Sequence, residues 1–231
     1  MSTFVLIPGA CHGGWWFEPV AQRLRELGHT AYAVTLTGLG DRAHLLGASV
    51  NLETHIRDVL ALLENERLEN VILVGHSYAG MVVSGVADRA PNRIDALMYV
   101  DAFVPGNGDA AWNLTNDDQR AWYIDGASTD GIGIAPLPFF DPRATPHPLA
   151  AMIQRLTLTG PDHTFRRRDY AYAAQFDNSP FTPTFQRLQA DPTWHVHELA
   201  ARHNVLADGP DLFLNLLLST IPTPTGSSDD R

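Results

Sequence analysis

The sequence predicts an α/β fold: a mostly parallel central sheet flanked by helices, with a small cap inserted after the fourth predicted strand. Three observations predict it. Short apolar runs alternate along the chain with stretches whose apolar residues recur at helical spacing. The runs are continuously apolar, as in strands buried on both faces of a sheet. The alternation breaks off near residue 102 and resumes near residue 166.

The elements follow in order. Phe4–Ile7 forms a first strand, closed by Pro8-Gly9. Phe17, Val20, Leu24 and Leu27 mark a helix over 17–27, stopped by Gly28. Ala31–Leu36 reads as a second strand, and Gly38, Gly40 and Asp41 as a loop. Leu52, Ile56, Val59, Leu60 and Leu63 form the apolar face of a second helix. Val71–Val74 is a third strand stopped by Gly75, followed by a helix over 78–89 that Pro91 ends. Ile94–Val100 is a fourth strand, ending at Asp101. The stretch 102–165 is rich in Pro, Gly and large aromatics, including Trp112, Trp122, Tyr123, Phe139 and Phe140. So many bulky side chains suit a packed cap rather than a free linker; the plainer reading is an irregular surface insertion. A strand over Tyr170–Phe176, a helix over 181–190, a strand over Trp194–Leu199 and a helix over 210–219 complete the pattern. The expected organisation is a core of 1–101 and 166–220, a cap of 102–165, and a disordered tail of 221–231.

Composition narrows the chemistry. The 231 residues carry 16 cationic and 26 acidic side chains, a formal net charge of −10. Every cation is an arginine. Without lysine there is no Schiff base with a carbonyl substrate or pyridoxal phosphate, and no lysine for a P-loop or kinase-type phosphate site. The acidic balance argues against nucleic acid and anionic membranes as partners. The single cysteine, Cys11, permits no intramolecular disulfide. The N-terminus has no cationic leader, and no apolar run reaches the roughly 18 residues of a membrane helix. A cytoplasmic protein is expected.

Gly75-His76-Ser77-Tyr78-Ala79-Gly80 fits Gly-x-Ser-x-Gly, set between an apolar strand and a helix. That context turns a weak pattern into a nucleophile site, because the sharp turn lifts the serine hydroxyl above the sheet edge. Otherwise Ser77 would merely cap a helix. A serine needs a base and the base needs an orienting acid, expected in the chain order Ser, Asp, His. Ten histidines compete. His12, His29, His44 and His55 come too early, His76 is inside the turn, and His147 and His163 fall in the cap. His195 and His197 share one face of a strand, with no third ligand to make a metal site. His203 follows the last strand at the expected sheet edge. Asp177, after the strand that begins near Tyr170, is the expected acid, and Asp101 is its rival. The Gly-rich loop Pro8–Trp16 and the residue after the nucleophile nominate the Ala10 and Tyr78 amides as an oxyanion hole.

At these residues the chain resembles the α/β-hydrolases, specifically the small plant and bacterial group of salicylic-acid-binding methyl esterases and hydroxynitrile lyases. Gly9–Trp15, Val71–Ser77, Asp101–Pro105, Asp177 and His203 carry the likeness, which extends to about residue 219. It implies an α/β-hydrolase fold with Ser77 as nucleophile, His203 as base, Asp177 as acid and the Ala10 and Tyr78 amides as oxyanion donors. Pro8 departs from the family's usual histidine. One lyase type requires a lysine beside the catalytic histidine and an early threonine; here Asn204 and Gly9 stand at those positions. A second lyase type requires asparagine at the Gly9 position. Both departures favour hydrolysis.

The expected function is a serine-dependent carboxylic ester hydrolase, acting through an acyl-enzyme on a small apolar or aromatic ester. Two alternatives stand beside it: a lyase-like or other non-hydrolytic enzyme on the same triad, and a small-molecule-binding protein with slow turnover. No cofactor and no metal are expected. The partner is the ester itself, with association into a homodimer left open.

Overall fold

A computed structural model describes residues 1–160 and 164–222. In chain order these hold β1 (Thr3–Ile7), α1 (Glu18–Glu26), β2 (Thr30–Ala33), α2 (Leu52–Asn65), β3 (Val71–His76), α3 (Ala79–Arg89) and β4 (Ile94–Val100). Next come α4 (Ala111–Leu114), α5 (Asp117–Gly126), β5 (Gly133–Ile134), β6 (His147–Pro148) and α6 (Leu149–Ile153). The chain then supplies β7 (Arg167–Ala173), α7 (Thr182–Gln189), β8 (His195–Leu199), α8 (Val205–Asp208) and α9 (Pro210–Ser219). Residues 223–231 of the expected tail, and 161–163 with His163, lie outside the described residues.

Six strands form one parallel sheet in the order β2-β1-β3-β4-β7-β8. The chain leaves β1 toward β2 on one side and returns at β3 on the other. This reversal sends the loops after β1 and β3 to opposite faces and opens a crevice at their carboxyl ends. Phe4–Ile7 and Val71–Val74 are fully buried, as their unbroken apolar character requires.

Two apolar layers sandwich the sheet. One joins β-strand residues such as Val5, Leu73 and Leu97 to α2 and α3; the other joins Phe4, Leu6 and Met98 to α1 and α9. The helices start where local chemistry allows. Asn51 caps α2 by accepting from the Thr54 amide, and Thr54 returns a bond to the Asn51 amide. Pro19 and Pro210 sit in the first turns of α1 and α9, where no intrahelical donor is lost. The stretch 102–160 carries the β5–β6 ribbon and α4–α6, and buries Tyr123, Ile134, Met152 and Leu156 in the same layer as α2 and α3. It has no separate core.

The strand expected over Tyr170–Phe176 instead runs Arg167–Ala173. Charge at its start masks it in the sequence, yet that charge is satisfied inside the sheet. The Asp169 side chain is fully buried, and accepts from Arg167 Nε at 2.7 Å and from His197 Nε2 at 2.7 Å. Likewise the second strand ends at Ala33, short of Leu36.

The Asp169 pairing makes a stability prediction. Burial alone would raise its carboxyl, but the hydrogen bonds from His197 and Arg167 outweigh burial and hold it below the usual value. Its ionised form therefore stabilises the fold fully above a pH of about 4, and the contribution is lost as pH falls through the lowered value. Asp169→Asn is expected to cost about 3 kcal/mol at neutral pH in urea unfolding. The gap to the parent should narrow as the medium is acidified.

Candidate active site

The site is built on the carboxyl ends of β3 and β4. Ser77 follows β3 with φ +56°, in the left-handed region that a residue with a side chain seldom occupies. The turn is held from both sides: the Ser77 amide donates to the Val100 carbonyl at 3.1 Å, and the Ser77 carbonyl accepts from the Gly80 and Phe103 amides. Gly80 is required by this packing, because a Cβ there would lie 1.9 Å from the Phe103 carbonyl oxygen.

Asp101 ends β4 in the same unusual conformation, with φ +42°. Its amide donates to the Ala171 carbonyl at 2.6 Å, and its Oδ1 accepts from the Ala173 amide at 3.2 Å. The side chain is completely buried, with Oδ2 directed at His203 Nδ1, 2.6 Å away. A carboxylate accepts, so Nδ1 donates and the other ring nitrogen is left bare. That nitrogen, His203 Nε2, is 3.0 Å from Ser77 Oγ and accepts its proton in a hydrogen bond. The result is a hydroxyl, an imidazole and a carboxylate in one continuous hydrogen-bonded chain, an arrangement that could serve as nucleophile, base and orienting acid.

The structure thus brings Ser77 and His203 together, and it corrects the third expectation. Asp177 does not reach His203. Because β7 ends at Ala173, Asp177 lies four positions further on, exposed in a turn. Asp101 is aligned instead because β4 lies beside β3, which delivers Ser77.

The His203 ring is fixed by more than its acid. It stacks on Phe181 at 5.4 Å and on Phe176 at 5.0 Å, and lies 4.5 Å from the His76 ring. His76 Nε2 donates to the His203 carbonyl at 2.9 Å. His76 is buried against Trp16 at 4.5 Å, and burial pushes its pKa well below the usual value. Sequence reasoning correctly kept His76 away from the neighbouring hydroxyl but missed that it supports the base. Its place between Gly75 and Ser77 was the available signal.

The loop after β1 presses on the nucleophile: a Cβ at Gly9 would lie 2.9 Å from Ser77 Cβ and 2.8 Å from His76 Nδ1. His12 Nδ1 donates to the Ala10 carbonyl at 2.7 Å, bracing this loop. Ala10 and Tyr78 both line the cavity at Ser77. Among the described residues, neither amide N–H is taken up by an intramolecular hydrogen bond.

That cavity measures about 250 Å³. Its floor includes Ser77, His203 and Ala10, and the stretch after β4 walls it with Trp122, Leu137 and Phe140. A larger, open concavity of about 740 Å³ is bordered by Tyr99, Arg168, Arg187 and Trp194, and contains none of the three reacting residues. The hydrogen-bonded Ser77, His203 and Asp101 are thus associated with the smaller one. Among the described residues, no group of three or more His, Cys, Asp or Glu could hold a metal ion. None of the helices among them is long and apolar enough to cross a membrane.

Residues 4–224 match the model of the alpha/beta hydrolase family, and the chain belongs to that family. It is 39% identical to a carbendazim hydrolyzing esterase from Nocardioides sp. (strain SG-4G), over 91% of this chain and 96% of that protein. With this full-length likeness, the chain is a carboxylic ester hydrolase of the family. Methyl jasmonate esterase 1 of Vitis vinifera is 34% identical, but over 45% of this chain and 40% of its own length. Among solved structures, an extracellular alpha/beta-hydrolase from a Paenibacillus species superposes with a TM-score of 0.81 at 22% identity, covering 95% of this chain and 98% of its own. At that identity the likeness shows the fold.

The two candidate acids can be separated directly. Asp101→Asn is expected to reduce kcat by a factor on the order of 10⁴, because the imidazole loses its correct tautomer. Asp177→Asn, at an exposed turn, should leave kcat within about twofold. Ester turnover by the two purified variants checks both.

Proposed function

We propose that the protein hydrolyses a small apolar or aromatic ester through an acyl-enzyme on Ser77. The observation that carries this reading is the hydrogen-bonded chain from Asp101 through His203 to Ser77 Oγ at the floor of an aromatic-walled cavity. His203 removes the serine proton as Oγ attacks the ester carbonyl. Asp101 holds the imidazole and stabilises its charged form. The Ala10 and Tyr78 amides donate to the oxyanion of the tetrahedral intermediate. His203 then protonates the departing alcohol, and later activates the water that releases the acid.

The cavity favours a compact substrate, since ligand pockets commonly start near 300 Å³. Its walls of Trp122, Phe140, Phe176 and Phe181 suit flat or apolar groups. Given the full-length likeness to a carbendazim hydrolyzing esterase, carbendazim belongs in the first substrate panel. Hydrolysis is favoured over the lyase reaction by Gly9. The threonine or asparagine of the lyase types would place its Cβ 2.9 Å from Ser77 Cβ. A cytoplasmic protein that needs no cofactor, with an ester as its small-molecule partner and no nucleic acid, completes this reading; a homodimer is compatible with it.

The test is a panel of p-nitrophenyl esters, methyl esters of aromatic acids and carbendazim, run with the parent and Ser77→Ala. Turnover should fall by a factor on the order of 10⁶ in the variant. Retained turnover in Ser77→Ala would overturn the mechanism, and release of cyanide from a cyanohydrin in place of ester hydrolysis would overturn the reaction.

A further inference from the structure

A chain of hydrogen bonds, partly buried at its start and fully buried at its end, reaches the side chain of Tyr78, the residue after Ser77. It begins at Arg42, whose Nη1 is 3.2 Å from Asp58 Oδ1 and whose Nη2 donates to Thr37 Oγ1 at 2.7 Å. Asp58 accepts from the Thr37 amide at 2.7 Å and from the Thr37 hydroxyl at 2.8 Å, fixing that residue completely. The Thr37 carbonyl, so fixed, lies 2.9 Å from His55 Nε2. His55 Nδ1 lies 2.9 Å from the Tyr78 hydroxyl.

The donors follow from elementary chemistry. A carbonyl only accepts, so His55 Nε2 carries the proton and Nδ1 is bare. The Tyr78 hydroxyl therefore donates to Nδ1. His55 and Tyr78 are essentially inaccessible to solvent. Burial lowers the His55 pKa to about 4, which keeps the ring neutral and this direction of donation intact. The Tyr78 ring also meets His147 edge-on at 4.5 Å, and the His55 and His147 rings lie 5.7 Å apart.

The peptide that carries the Tyr78 N–H is held at its other end, where the Ser77 carbonyl accepts from the Gly80 and Phe103 amides. The peptide between Ser77 and Tyr78 joins a left-handed residue to one in helical conformation, with φ −50° and ψ −36° at Tyr78. No hydrogen bond among the described residues holds the Tyr78 N–H. The bonds to the Ser77 carbonyl hold one end of the peptide plane, and the anchored Tyr78 side chain constrains the other.

We propose that His55 is a positioning residue for ester hydrolysis: by holding the Tyr78 hydroxyl it adds to the carbonyl bonds that hold the Ser77–Tyr78 peptide, and so refines the aim of the Tyr78 N–H at the oxyanion. The proposal rests on the esterase reading of the site. It gives a function to a histidine that chain order alone sets aside as too early to be the base.

The test uses Tyr78→Phe, His55→Leu and His55→Gln beside the parent and Ser77→Ala. Tyr78→Phe keeps the ring and removes only the hydroxyl. The glutamine amide in His55→Gln can donate to the Thr37 carbonyl while accepting from Tyr78. Each variant is measured for kcat and KM on one ester, inhibition by a trifluoromethyl ketone, and Tm. The ketone forms a tetrahedral adduct whose oxyanion needs the same donors. Tyr78→Phe and His55→Leu are expected to lower kcat about tenfold, with KM within about twofold and ketone binding weakened by a similar factor. His55→Gln should recover most of the loss. Folded variants with parental kcat, or kcat losses without weaker ketone binding, would overturn the proposal and leave His55 a structural residue. Retained turnover in Ser77→Ala would instead overturn the esterase mechanism, so the two failures are distinct.

Discussion

Two neighbouring strands end in residues forced into the left-handed region, and each end holds the other in place. Ser77 after β3 and Asp101 after β4 occupy conformations that cost on the order of 1–3 kcal/mol each. The Ser77 amide is satisfied by the last residue of β4, and the Ser77 carbonyl by the Phe103 amide just beyond Asp101. Asp101 is satisfied in turn by β7, through its amide on Ala171 and its carboxylate on the Ala173 amide. The strain is thus supported by ladder-like bonds passed from β3 to β4 to β7. Neither turn is independent, and the register of three adjacent strands sets the serine–aspartate geometry before His203 is considered.

This dependence explains what the sequence could and could not disclose. The nucleophile turn was legible because every requirement is local: an apolar strand, two glycines, a serine and a helix within ten residues. His203 was legible because chain order and a strand end both point to it. The acid was not legible, because the choice between Asp101 and Asp177 depends on which strand end stands beside Ser77. Both residues follow the nucleophile in the chain, and both seemed to close a strand. The charged Arg167 and Asp169 hid the true start of β7, which moved its apparent end toward Asp177. A firmer signal was present: Asp101 directly follows the apolar run Ala96–Val100, as Ser77 nearly follows Val71–Val74. Parallel strands ending level with each other would place those two residues side by side.

The histidines show a second kind of information that a linear reading lacks. In the search for a base they compete, but in the fold they divide the work. His12, His55 and His76 each donate one ring nitrogen to a backbone carbonyl, of Ala10, Thr37 and His203 respectively. Burial lowers the pKa of all three and keeps them neutral. His203 differs from these three in having its donor on a carboxylate, an arrangement that can stabilise an imidazolium. What each ring can do therefore depends on its partner more than on the ring itself, and partners are a property of the fold.

The reach of each likeness follows from the same geometry. Ser77 and His203 are 126 positions apart. A match of 104 residues, as with the grape methyl jasmonate esterase, cannot contain both. Such a relative supports one side of the site at a time and says little about a cavity walled by Trp122 and Phe140 on one side and Phe176 and Phe181 on the other. The match to the carbendazim hydrolyzing esterase extends over 232 residues and spans sheet edge and cap together. The sheet edge supplies Ser77 and His203 to the cavity, and the stretch after β4 supplies Trp122, Leu137 and Phe140 to its walls. Inferences about chemistry can therefore rest on the family as a whole, whereas inferences about substrate can rest only on relatives aligned through the cap as well.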